Sequence, residues 1–99
     1  MNKPTIYLSG KVTGRDFTEA SLQFKIAEQH LHNKGYKVIN PIDLVDDENC
    51  VWTDAMRICM IGLMKADEIY MLKGWHNSEG AQLEYYIALK LGLPVQYEK

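Results

Sequence analysis

The segment "GWHNSEGAQLEYY", residues 74–86, concentrates residue types able to do chemistry. A Gly-Trp turn runs into a polar stretch, and a helix is expected over residues 79–91 with Asn77 or Ser78 as its N-cap. At about 100° per residue, Gly80, Ile87 and Leu91 project close together, flanked by Leu83 and Ala88. Glu84 falls inside that apolar arc, whereas Gln82 lies nearly opposite. Burying a carboxylate without partners costs on the order of several kcal/mol. Two explanations stand side by side: a structural pair at the rim of the fold, or a reacting group.

The neighbouring candidates each have an ordinary reading beside a chemical one. Glu79 sits in the first helical turn, where an acid suits the helix dipole. Ser78 can cap the helix, and can also hold an anion or a hydroxyl there. In "SGKVTGRD" (9–16), Gly10 and Gly14 allow close backbone approach to a ligand or simply make a turn. The Gly-Lys-Ser/Thr ending of a P-loop is absent. Lys11 and Arg15 can serve a phosphate or stay solvated. Trp52 and Trp75 can wall a flat base or sugar, or be half-buried core. His30, His32 and His76 read as solvated, and no metal-ligand cluster is present. Cys50 and Cys59 lack zinc spacing, so neither a metal nor a cofactor is expected.

The elements that must position these residues alternate. "PTIYL" (4–8) reads as a strand ended by Ser9-Gly10. Residues 18–33 form a helix with Ala20, Phe24, Ala27 and Leu31 on one stripe, an Asp16/Glu19 capping box, and Gly35 just past its end. "YKVI" (36–39) is a second strand, stopped by Asn40-Pro41, and 42–51 reads as an acidic loop. Residues 52–65 form a helix with Ala55, Cys59, Leu63 and Ala66 on one stripe. "EIYML" (68–72) and "PVQYE" (94–98) complete the strands. This order predicts a three-layer α/β sandwich, flavodoxin-like or Rossmann-like, with about four parallel strands and helices on both faces. Ligands in such sheets bind outside the carboxyl ends of the strands. The loops there are 9–16, 40–51 and 73–78, which hold most of the candidates. Asp67 lies at the opposite end.

The 99 residues fit one domain, 1–99. A net charge of -2, with acids and bases mixed, gives no footprint for a nucleic-acid polymer. The longest apolar run, "ICMIGLM", is too short to span a bilayer, and the N-terminus has no signal-peptide pattern. With two cysteines at most one disulfide is available, and the expected location is the cytoplasm.

"IYLSGKVTG", Asn40-Pro41, "WTDAMR" and "ADEIYMLKGWHNSEGAQLEYYIALKLGLPV" together resemble the nucleoside 2-deoxyribosyltransferase-like superfamily, most closely its small branch of unknown function. The resemblance spans nearly the whole chain and is most specific in its GW-x-x-S-x-G-A-x-x-E block. It implies transfer or hydrolysis at the N-glycosidic bond of deoxynucleosides or their 5′-monophosphates. Glu84 would be the covalent nucleophile and Tyr7 its neighbour. Ser9, Gly10, Gly14, Asn40, Trp52, Trp75, Ser78 and Gly80 would bind substrate. Cys59 stands where relatives commonly carry an Asp facing the base, so Asp54 or Glu79 would supply an acid. The resemblance also implies a homo-oligomer. A nucleotide-binding module without turnover, and an interaction scaffold indifferent to small molecules, are the competing expectations.

Overall fold

The computed structural model describes residues 3–99. Strand β1 (Thr5–Ser9) leads through helix α1 (Phe17–Asn33) to β2 (Lys37–Ile39). Two helices follow, α2 (Pro41–Val45) and α3 (Trp52–Met64), then β3 (Glu68–Met71). A single 3₁₀ turn, Trp75–Asn77, precedes α4 (Glu79–Lys90) and β4 (Val95–Tyr97). The strands form one parallel sheet in the order β2-β1-β3-β4, with Tyr7 opposite Ile39 on one side and Ile69 on the other. The three-layer parallel architecture expected from the alternation of elements is therefore present.

The helix boundaries follow from local chemistry. Asp16 caps α1 by accepting from the backbone N–H groups of Thr18 and Glu19. Gly35 (φ 96°) and Gly92 (φ 75°) take the left-handed conformation just beyond α1 and α4, where a Cβ would be strained. One boundary differs from expectation. Asn40-Pro41 not only stops β2 but starts α2, with Asn40 Oδ1 accepting from Ile42 N and Pro41 in the first helical position. The expected loop 42–51 is thus partly helical. Five residues are too few for helical periodicity to register.

Successive β1 residues point to opposite faces, as the pleat requires. Ile6 and Leu8 pack with Phe24, Ala27 and Leu31 of α1, together with Tyr70 and Leu72. Tyr7 faces the other layer, with Cys59, Leu63 and Ala66 from α3 and its end, Ile69 and Met71 from β3, and Ala81 and Ala88 from α4. The stripe expected on α1 is buried in full. On α4 the buried face is narrower than the predicted arc: Ala81, Glu84 and Ala88 are buried, while Leu83 and Leu91 are exposed. The short alanines let α4 sit close to the sheet. Close approach also explains Gly62 on α3, where a Cβ would lie 2.6 Å from Leu44 Cδ1 and 3.4 Å from the Tyr7 ring.

Candidate active site

The strand order reverses between β1 and β3, the position at which a parallel sheet opens a crevice at its carboxyl end. A cavity of about 480 Å³ opens there. Gly10, Gly14 and Arg15 line it from the first loop, and Ser78, Gly80 and Glu84 from the start of α4. Trp52, Met56 and Cys59 of α3 form another wall, and Asp47, Glu48 and Cys50 stand on the segment joining α2 to α3.

Glu84 is 5% exposed. Tyr7 Oη donates to its Oε2 and Ser9 Oγ to its Oε1, each at 2.6 Å. Hydroxyl-to-carboxylate bonds of that length are charge-assisted. Both donors come from β1, two residues apart and on the same face, so the strand itself sets the spacing of the clamp. Burial pushes the Glu84 pKa from its ordinary 4.5 to about 7, while the Ser9 and Tyr7 donors pull it down. The result is a carboxyl group poised near neutrality, held in one rotamer, and lining a cavity. The Tyr7 hydroxyl moves well above its ordinary value through burial and the adjacent Glu84. Burial also raises the Cys59 thiol to about 11, against a lowering by Tyr7, so it stays protonated near neutral pH.

The glycines fit close packing or an unusual backbone at this site. A Cβ on Gly10 would sit 2.9 Å from Leu72, jamming the first loop against the end of β3. One on Gly80 would come within 3.0 Å of Met56 Sδ, between α4 and α3. Gly14 has φ 84°, which turns the loop back toward α1. Ser78 caps α4 by accepting from Ala81 N at 3.1 Å, which brings its hydroxyl and the helix N-terminus to the cavity.

Arg15 is fixed by a polar chain. Its Nη1 donates to Gln23 Oε1 at 2.5 Å and to Lys11 O at 3.3 Å. Gln23 Nε2 donates in turn to Lys73 O and to Glu98 Oε1, and Lys73 N donates to the same Glu98 oxygen at 2.7 Å.

Of the residues singled out from sequence, Glu84, Gly10, Gly14, Trp52, Ser78 and Gly80 line the cavity. Tyr7 stands behind Glu84 as its hydrogen-bond donor. Ser9, expected to bind substrate, is fully buried and spends its hydroxyl on Glu84 instead. Asn40 is buried as the α2 cap and donates to Glu28 Oε1. Trp75 stacks on His76 and tilts against Tyr85, away from the lining. Asp54 and Glu79 are exposed in the first turns of their helices and do not reach the cavity wall. Asp47 and Glu48 do. They lie in the expected ligand loop 40–51 but are not among the candidates, because Asn40-Pro41, legible as a strand stop, is also the one signal that α2 brings this segment over the site. Among the described residues, no group of three or more His, Cys, Asp or Glu side chains could hold a metal ion.

The chain matches, over residues 4–97, the family described as domain of unknown function (DUF4406). No curated protein matches it. Among solved structures it is similar to a 2-deoxyribosyltransferase from the psychrotolerant bacterium Bacillus psychrosaccharolyticus, with a TM-score of 0.71 and 22% identity. That likeness covers 94% of this chain and 70% of the other, and at this identity it shows a shared fold. The chain belongs to the DUF4406 family.

Proposed function

We propose that this DUF4406 domain cleaves or exchanges the N-glycosidic bond of deoxynucleosides or their 5′-monophosphates through a covalent Glu84 intermediate. The observation that carries this reading is the Tyr7–Glu84–Ser9 clamp at a cavity of about 480 Å³. The chemistry asks for such a group. As the C1′–N bond breaks, positive charge spreads over C1′ and the ring oxygen, and a fixed carboxylate stabilises it. Glu84 forms an ester bond to C1′ while the bonding pair leaves with the base. Water or a second base then attacks C1′, and the pair returns to the carboxylate. The fold shared with a 2-deoxyribosyltransferase supports the same reading.

A panel of deoxynucleosides and their 5′-monophosphates, followed by chromatography of released base, tests it. Release by the wild type and at least 100-fold slower release by Glu84→Gln are expected. Equal rates in a variant that a melting curve shows to be folded would sink the proposal.

Cys59 favours a second reading, a nucleotide-binding module without turnover. Its thiol, raised to about 11, stands in the cavity where the resemblance places an Asp. Ligand-induced thermal stabilisation with no product selects that reading. We also infer a homo-oligomer, because Trp52 lines the cavity yet remains 37% exposed, available to a second copy. A monomer mass by light scattering overturns it. Among the described residues no helix is long and apolar enough to cross a membrane. We place the protein in the cytoplasm on its two free cysteines, and rapid oxidation of both in a cell extract would argue otherwise.

A further inference from the structure

The cavity's charges and its proton donors bear on which leaving base it suits. Among the described lining residues Arg15 is the one cation, and Gln23 and the Lys11 carbonyl already hold its guanidinium. Against it stand Asp47 and Glu48, both exposed on the α2–α3 segment, and Glu84 at the bottom. Trp52 and Met56 add an aromatic and a polarisable face on the neighbouring α3 wall. Acidic groups beside an aromatic face are what a flat cation binds.

Proton supply leads the same way. A neutral base leaves as an anion unless an acid protonates it. Asp54 and Glu79 lie outside the lining, and the two carboxyls that line it besides Glu84, Asp47 and Glu48, are exposed on the α2–α3 segment rather than buried against a leaving base. Cys59 is a weak acid after burial, Tyr7 donates to Glu84, and a guanidinium keeps its protons. A base that already carries positive charge needs no proton, because the pair released from the C1′–N bond neutralises it.

Resting on the Glu84 reading, we propose that the preferred substrates are N-glycosides of cationic heteroaromatic bases, such as N7-alkylpurinium or pyridinium nucleosides. Glu84 carboxylate and the cationic nucleoside give a glycosyl ester and a neutral base. Water then cleaves the ester, restoring the carboxylate and passing one proton to solvent. Asp47, Glu48 and Trp52 hold the cation before cleavage and lose their attraction for the neutral product, which favours release.

The matched pair 7-methyl-2′-deoxyguanosine and 2′-deoxyguanosine differs by one methyl group and one charge. Base release from each is measured with the wild type and Asp47→Asn/Glu48→Gln, and divided by the uncatalysed rate, since the methylated compound is the more labile. The expected acceleration is at least tenfold larger for the cation, shrinking toward parity in the double variant. Equal or larger acceleration for 2′-deoxyguanosine overturns the cation preference and leaves Glu84 as nucleophile intact. A binding arm separates the two ideas further, using thermal shift with 1-methylnicotinamide against nicotinamide. Stabilisation by the cation alone, lost in the double variant, supports cation recognition even if neither nucleoside is cleaved. Equal response to the two, or none to either, with no cleavage of the methylated nucleoside, overturns it.

Discussion

Ile6 and Leu8 leave β1 toward α1, and Tyr7 and Ser9 leave the same strand toward α3 and α4. The first pair meets Phe24, Ala27, Leu31 and Leu72, a cluster that is apolar apart from the Tyr70 hydroxyl. The second pair meets a carboxylate, and Tyr7 also a thiol, and it is those two groups that line the cavity. Burial on the α1 side stabilises the fold by roughly 1.5–3 kcal/mol for each large apolar side chain. Burial of Glu84 on the other side opposes folding whenever that group is charged. One strand of five residues thus carries an apolar face on one side and both donors to a buried carboxylate on the other. The difference teaches that the site depends on the opposite face: a carboxylate can be held out of water only by a strand that is anchored elsewhere.

The sharpest break in that comparison is Phe24→Ala. It removes the largest side chain that α1 gives to this cluster and should lower unfolding free energy by about 3–5 kcal/mol in urea titrations. A loss below about 1 kcal/mol would mean that the two faces do not differ as described. Next comes the pH dependence of stability. Because folding raises the Glu84 pKa from 4.5 to about 7, its stabilising contribution is complete below about pH 4.5 and lost as pH rises through about 7. The wild type should lose about 3 kcal/mol from this group over that interval, at ~1.4 kcal/mol per pKa unit. Glu84→Gln should lack that component, while Phe24→Ala should keep it. Parallel wild-type and Glu84→Gln stability curves from about pH 4 to about pH 8 would contradict this.

A smaller effect is expected from Tyr7→Phe, which removes one of two donors to the carboxylate. The acidic limb of the pH–rate profile should move upward, and kcat/KM near neutral pH should fall roughly tenfold, the size of one lost hydrogen bond to a charged group. An unmoved limb would assign the tyrosine to packing alone. The smallest effect tests the cavity boundary. Asp54→Asn and Glu79→Gln should each leave base release within about twofold, since surface substitutions away from a site change little. A larger loss from either would return that residue to the site.

Much of this arrangement was legible in the sequence where it depended on period. The α1 stripe and the four strands follow from spacing, and Glu84 stood out because it broke the pattern of its own helix. Its partner Tyr7 was reached by resemblance. Ser9 differs from the expectation of a substrate contact because its position at the end of β1 is readable in the sequence but the direction of its hydroxyl is not. That direction depends on how near α4 lies to the sheet, which Ala81 and Ala88 decide. The exposure of Leu83 and Leu91 has the same origin, since a helix contacting the sheet through alanines turns a narrower face inward than its apolar residues suggest. Asp47 and Glu48 fall in the expected ligand loop 40–51 but do not stand out there, because α2 is a single short helix whose only announcement is Asn40-Pro41.

The polar chain through Gln23 has a mechanical consequence. Glu98, beyond the last strand, is tied to Lys73 at the end of β3 and through Gln23 to Arg15 at the cavity. Tension applied at residue 98 is therefore transmitted across three segments distant in sequence to the lip of the cavity. A fusion partner or immobilising linker attached after β4 would pull, through Glu98 and Gln23, on the loop that carries Arg15.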